Sequence, residues 1–136
     1  MRTDHRYSDF VLELDWKAQK PEKWDSGIYF RCDLPPEGKP WPSRYQANLL
    51  QGQEGNVGGL AGATSKGLAK PGEWNTLEIN CRGTSYRVTH NGVVIVNATE
   101  DEFPELKDRQ LRGFLGLQNH SEHVWFRNVR VGPPQP

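Results

Sequence analysis

The chain has 136 residues and a net formal charge of zero, because 17 Lys and Arg balance 17 Asp and Glu. This length suits one folded domain, and the charge balance argues against a nucleic-acid binder that works through a basic field. The longest purely aliphatic run, Val93 to Val96, is far too short to cross a membrane, and the N-terminal residues lack the apolar core of a signal peptide. We therefore expect neither a nucleic acid nor a membrane as a partner.

Short segments of alternating apolar and polar residues predict β-strands along the whole chain. The second of these segments places Ile28, Phe30 and Cys32 on one face. Further along, Asn91-Gly92 accepts the positive φ angles of a type I′ hairpin turn. The predicted strands are residues 10–16, 26–33, 44–51, 74–82, 85–90, 93–97, 114–119 and 124–131.

Helix signals are weak in this chain. The span 99–110 is charged and contains Pro104, so at most one short helical turn fits there. About eight or nine short strands with frequent turn signals indicate an all-β sandwich or jelly roll. The Pro-rich segment 34–42 and the Gly-rich segment 51–72 are predicted to be irregular loops.

The two cysteines, Cys32 and Cys81, leave two alternatives open. They are either buried thiols on neighbouring strands or one disulfide. Without a nearby pair of His they form a poor zinc signature.

Parity along the second strand predicts one open sheet face with polar side chains. Because Ile28 and Phe30 point into the core, Tyr29 and Arg31 are expected on the opposite face. A solvated strand face is the plain alternative for this pair.

Two further pairs of polar residues are expected on the same open face. Gln46 and Asn48 lie two positions apart, as do Gln118 and His120, so the members of each pair share a face. Amides suit sugar hydroxyls because both groups donate and accept hydrogen bonds. A His at a strand end can act as an acid, a base or a metal ligand, although a lone His is more often simply on the surface. Together the pairs predict a saccharide-binding groove.

Five short motifs in order carry a resemblance to a known family. They are Asp25–Arg31, Gly72–Thr76, Asn91-Gly92, Gly116–His120 and Phe126–Val131. From about Tyr7 to Val131 the chain resembles the 3-keto-disaccharide hydrolase domain family. The resemblance implies a concanavalin-like or laminarinase-like jelly-roll β-sandwich of two antiparallel sheets, formed as a single domain over residues 1–136.

The resemblance also implies an activity and roles for site residues. The family acts on glycosides oxidised to a ketone at carbon 3, which acidifies the C2–H so that the glycosidic oxygen leaves by elimination and water adds back. His120 then matches the base or a metal ligand, and Arg31 the group that holds the carbonyl oxygen. Gln118, Tyr29, Gln46 and Asn48 would contact the sugar, and a divalent metal ion is a possible cofactor at the enolate.

The chain departs from the family where Tyr-Glu-x-Gln-x-x-Asp is common. Here residues 45–51 read Tyr-Gln-Ala-Asn-Leu-Leu-Gln, so Gln46 and Gln51 replace two carboxylates. Amides cannot accept a proton and bind divalent cations poorly. Three readings therefore stay open: a 3-keto-glycoside hydrolase or lyase, a carbohydrate-binding module that has lost catalysis, and an interaction domain without a sugar site.

The family usually has a segment with one or two strands before Tyr7, and we expect this segment to be absent here. We therefore expect the last strand, residues 124–131, to form an exposed sheet edge that invites a homo-oligomer. The resemblance also implies a periplasmic or secreted protein.

Overall fold

The structure is a computed structural model of the chain, and it describes residues 2–39, 46–57, 67–118 and 124–134. A single 3-10 helix, Pro104–Asp108, follows the sixth strand in this part of the chain. The strands are β1 (Phe10–Ala18), β2 (Gly27–Cys32), β3 (Gln46–Asn48), β4 (Asn75–Arg82), β5 (Ser85–His90), β6 (Val93–Ala98), β7 (Phe114–Leu117) and β8 (Val124–Gly132).

The strands form two antiparallel sheets. One has five strands in the order β6-β5-β4-β1-β8, and the other has three in the order β3-β2-β7. The predicted all-β jelly-roll sandwich is therefore confirmed.

Local turn chemistry also agrees with the sequence. Asn91 and Gly92 have φ angles of 49° and 82° at the tip of the β5–β6 hairpin, as a type I′ turn requires. The predicted short helical turn is the 3-10 helix Pro104–Asp108. No helix in the described ranges is long and apolar enough to span a membrane.

The core lies between the two sheets and is rich in aromatic rings. Phe10 of β1, Phe30 of β2 and Tyr86 of β5 are each at most 1% exposed. Phe30 meets Phe10 at a centroid distance of 6.5 Å and Tyr86 at 5.4 Å, both edge-to-face. Such contacts add about 0.5–1.5 kcal/mol each beyond the burial of apolar area, so Phe30 joins the two sheets.

Both cysteines are buried thiols, as the first of the two alternatives predicted. Cys32 belongs to the three-stranded sheet and Cys81 to the five-stranded sheet, so the expectation of neighbouring strands is wrong. Burial raises the pKa of each thiol to about 12. Both groups therefore stay protonated and behave as small core residues.

The two sheets differ in how their edges are covered. Residues 2–7 run along the free edge of β7. There the backbone N–H of Thr3 donates to the Leu115 carbonyl, and Tyr7 forms an antiparallel β-bridge with Gly113. β8 is the edge strand of the five-stranded sheet. Its left-handed Asn128, with φ of 54°, and its Arg side chains oppose flat pairing with another strand. Association through this edge stays a prediction.

Candidate functional site

Four of the predicted site residues share the outer face of the three-stranded sheet. Tyr29 is the cross-strand partner of Gln46, and Asn48 is the partner of Gly27. The backbone N–H of Gln118 donates to the Gly27 carbonyl at 2.8 Å. This bond places Gln118 at the end of β7, beside Tyr29 and Gln46. We call this surface the amide face; its predicted site residues are Tyr29, Gln46, Asn48 and Gln118.

The centre of the amide face is a direct bond between two side chains. Gln46 donates a hydrogen bond from Nε2 to Oε1 of Gln118. The Gln46 side chain reaches it by crossing Gly27, where any Cβ would collide with the Gln46 amide. Ser26 fixes the other partner, because its Oγ donates to the Gln118 carbonyl at 2.9 Å.

Asn48 is held differently from the two glutamines. Its Oδ1 accepts a hydrogen bond from the Leu50 amide at 2.9 Å, and its Nδ2 donates to Gln53 at 3.1 Å. These bonds form an Asx-type turn at the end of β3. Asn48 therefore shapes the border of the face and is less free than the glutamines to contact a ligand.

Tyr29 supplies the aromatic part of the amide face. Burial raises the pKa of its phenol above the ordinary value of 10.0, and nearby Cys32 and Asp25 act in the same direction. The phenol is therefore neutral near pH 7 and can both donate and accept.

The prediction that Arg31 lies on this face is wrong. Arg31 has a φ of 52°, and the register of β2 against β7 shifts between Tyr29 and Cys32. A left-handed residue at such a bulge breaks the simple alternation of side chains. Arg31 is instead fully buried, so the parity argument fails at Arg31, two residues beyond Tyr29.

The buried guanidinium ties three parts of the fold together. It donates to the Ser8 carbonyl at 2.7 and 3.0 Å and to the Gly83 carbonyl at 2.6 Å. Asp9 lies 3.4 Å away, and the Tyr86 ring is 5.5 Å below the guanidinium. These partners occupy the donors that the sequence assigned to a substrate carbonyl, so the geometry gives Arg31 a structural role.

The remaining catalytic prediction, His120, lies outside the described residues. Among those that are described, no group of three His, Cys, Asp or Glu side chains is arranged to hold a metal ion. The amide face itself offers amides and a phenol, which fit hydroxyl groups better than a divalent cation.

Sequence reasoning missed the residues that position the amide pair. Ser26 and Gly27 were recognised only as part of a family motif, although one anchors Gln118 and the other makes room for Gln46. The available signal was a Ser-Gly pair at the start of a strand that carries polar residues on one face.

Comparison with protein families identifies the chain. Residues 1–132 match the 3-keto-alpha-glucoside-1,2-lyase-like domain, so the protein belongs to this family. Family membership indicates a carbohydrate-related domain, either hydrolase-like or carbohydrate-binding. A search of curated proteins gives no match.

Solved structures support the fold. Two proposed glycosyl hydrolases from Parabacteroides distasonis are similar with TM-scores of 0.80 and 0.75, at 23% and 19% identity. The similarity covers 97% and 98% of this chain and 81% and 76% of theirs. The carbohydrate binding module CBM66 from Bacillus subtilis is similar with a TM-score of 0.68 at 17% identity, over 94% of this chain and 77% of that one. At these identities the similarity shows the fold alone.

Proposed function

We propose that the amide face binds a saccharide and that carbohydrate recognition is the function of this domain. The hydrogen-bonded pair of Gln46 and Gln118 beside the Tyr29 phenol carries the proposal. Once the pair is formed, Gln46 keeps an amide oxygen as an acceptor and Gln118 keeps an amide nitrogen as a donor. An acceptor and a donor side by side match adjacent sugar hydroxyls.

The pair is also preorganised for binding. Gln46 is confined by Gly27 and by Gln118, and the Gln118 backbone is bonded to both Ser26 and Gly27. Side chains that are already ordered lose less conformational entropy when a ligand binds. We therefore expect the amide face, although small and neutral, to bind its sugar specifically.

A second candidate is cleavage of 3-keto-glycosides, which family membership favours. In this reaction a base takes the C2 proton, the C1–O bond breaks as a C1=C2 bond forms, and an acid protonates the leaving oxygen. We propose His120 as the base, since it follows Gln118 by two positions in the sequence. Tyr29 replaces Arg31 as the proposed donor to the ketone oxygen, because its neutral phenol is on the amide face.

Calorimetric titration with methyl α-glucoside and methyl 3-keto-α-glucoside tests the binding proposal. We expect Gln118→Ala to weaken binding of the preferred sugar about five- to tenfold, the effect of one hydrogen bond. Asn97→Ala, an exposed strand amide on the other sheet, is the matched control and should bind normally. Failure of the wild-type protein to bind either sugar would contradict the proposal.

The enzyme candidate needs a separate readout. Methanol release from methyl 3-keto-α-glucoside, lost in His120→Ala with binding retained, would support it. Sugar binding without any release of methanol by the wild-type protein would indicate a carbohydrate-binding module. A divalent ion at the ketone oxygen and an extracytoplasmic location remain proposals that follow from the family alone.

A further inference from the structure

The outer face of the five-stranded sheet carries two tryptophans on either side of a lysine. Lys17 of β1 is the cross-strand partner of Trp125 of β8, and Trp74 immediately precedes β4 on the other side. The Lys17 ammonium lies 5.7 Å from the centroid of each indole. We call Trp74, Lys17 and Trp125 the tryptophan row.

The tryptophan row contains an unusually exposed indole. Trp125 is 52% exposed although indoles are usually among the more buried side chains. Arg127 covers Trp74, with its guanidinium carbon 4.0 Å from the ring centroid. Trp125 is therefore the indole with a free surface, and it lies beside a cation.

On β1, the two carboxylates that share the outer face with Lys17 are both paired with arginines of β8. Asp15 accepts hydrogen bonds from Arg127 at 3.1 Å and from Asn128 at 2.8 Å, and these contacts hold its pKa below the ordinary value of 3.8. Two residues before Asp15 on β1, Glu13 forms an ion pair with Arg130 at 3.2 Å. Among the described residues no carboxylate lies within ion-pair distance of Lys17, whose neighbours are the two indoles.

This arrangement selects among ligand classes. A single uncompensated cation is too little for a nucleic acid or another dense polyanion, whose binding relies on many charge contacts. An apolar ligand would use Trp125 but leave the ammonium unused. A ring with an apolar C–H face and one carboxylate uses both, because the face stacks on Trp125 and the carboxylate pairs with Lys17.

We propose that the tryptophan row binds the acidic sugar residues of a uronate-bearing glycan. The free terminal nitrogens of Arg127, whose Nε is bonded to Asp15, provide a second contact for the carboxylate. The site is on the opposite side of the sandwich from the amide face, so the two surfaces can be occupied independently. A domain with both surfaces binds an acidic polysaccharide through the tryptophan row and a separate sugar through the amide face.

Affinity measurements with three probes test this site on the intact chain. The first is an oligogalacturonate, the second is the same oligomer with its carboxyl groups methyl-esterified, and the third is polyglutamate, which carries carboxylates without sugar rings. We expect the oligogalacturonate to bind at least fivefold more tightly than either of the other two.

Variants then assign the binding to the tryptophan row. Lys17→Gln and Trp125→Ala should each weaken oligogalacturonate binding about fivefold or more, whereas Trp125→Phe keeps most of the affinity. Lys107→Gln, which removes an exposed lysine of the 3-10 helix, is the control and should bind normally.

The outcomes that overturn the inference are distinct. Equal binding of polyglutamate, with no effect of Trp125→Ala, would mean simple charge attraction. Equal binding of the esterified oligomer would mean a neutral-sugar site without a role for Lys17. No binding of the oligogalacturonate by the wild-type protein would remove the site altogether.

Discussion

Gln46 and Gln118 are 72 positions apart in the chain, yet their side-chain amides hydrogen-bond directly across the outer face of the three-stranded sheet. Gln46 is on β3 and Gln118 directly follows β7, the two strands on either side of β2, and the bond spans β2 over Gly27. The central strand thus carries the smallest side chain where the two amides need space. This contact turns two ordinary surface residues into one oriented donor–acceptor pair.

Gly27→Ala should weaken saccharide binding without unfolding the protein. A Cβ at this position collides with the flexible end of Gln46, so the amide must move and its bond to Gln118 is lost. We expect a five- to tenfold loss in affinity for the preferred methyl glucoside by calorimetry, similar to that of Gln46→Ala. Gly132→Ala is the matched control, because among the described residues its Cβ would meet only Val11, at 3.9 Å. Unchanged affinity in Gly27→Ala would show that the amide pair does not bind the sugar.

Arg31→Met should cost stability and leave the binding of saccharide by folded molecules intact. The substitution removes the buried guanidinium that donates to the Ser8 and Gly83 carbonyls. We expect a loss of about 3 kcal/mol in the free energy of unfolding, measured by urea denaturation. Arg31→Lys should recover little of it, since an ammonium lacks the planar fork that reaches both carbonyls. Normal stability combined with lost sugar cleavage would instead restore a catalytic role for Arg31.

The contrast between Arg31 and Gln118 shows what strand parity can predict. Spacing placed Gln46 and Asn48 on one face because β3 pairs with β2 without a register shift. Gln118 joins them because it follows Leu117, the cross-strand partner of the core residue Ile28. Arg31 was misplaced because a bulge depends on how β2 pairs with β7, and residue spacing does not reveal it. The tryptophan row escaped notice for a related reason: Trp74, Lys17 and Trp125 meet only through the register of three strands.

Stability should fall as the pH drops below about 6.5 because of His90. Its ring is 1% exposed, stacks on Trp16 at 5.7 Å and has no hydrogen-bond partner for either nitrogen within the described ranges. Burial lowers the pKa of His90, an effect that Glu54 partly offsets. The unfolded chain therefore binds the proton more readily than the folded one.

The contribution of neutral His90 is complete above the unfolded pKa near 6.5 and is lost progressively as the pH falls from there toward the lower folded pKa. Thermal melting between pH 8 and pH 5 should show a steeper decline for the wild-type protein than for His90→Phe, which keeps an aromatic ring beside Trp16. Parallel melting curves for the two proteins would exclude His90 as the cause.

A nuclear magnetic resonance titration shows directly whether the amide face binds a saccharide. The side-chain NH₂ groups of Gln46 and Gln118 give resolved signals that report on their hydrogen bonds. On addition of methyl α-glucoside or methyl 3-keto-α-glucoside, we expect saturable shifts of both side-chain signals and of the Gly27 backbone amide, with the Trp125 indole signal unmoved. Saturable binding that shifts other signals and leaves these three in place would contradict it.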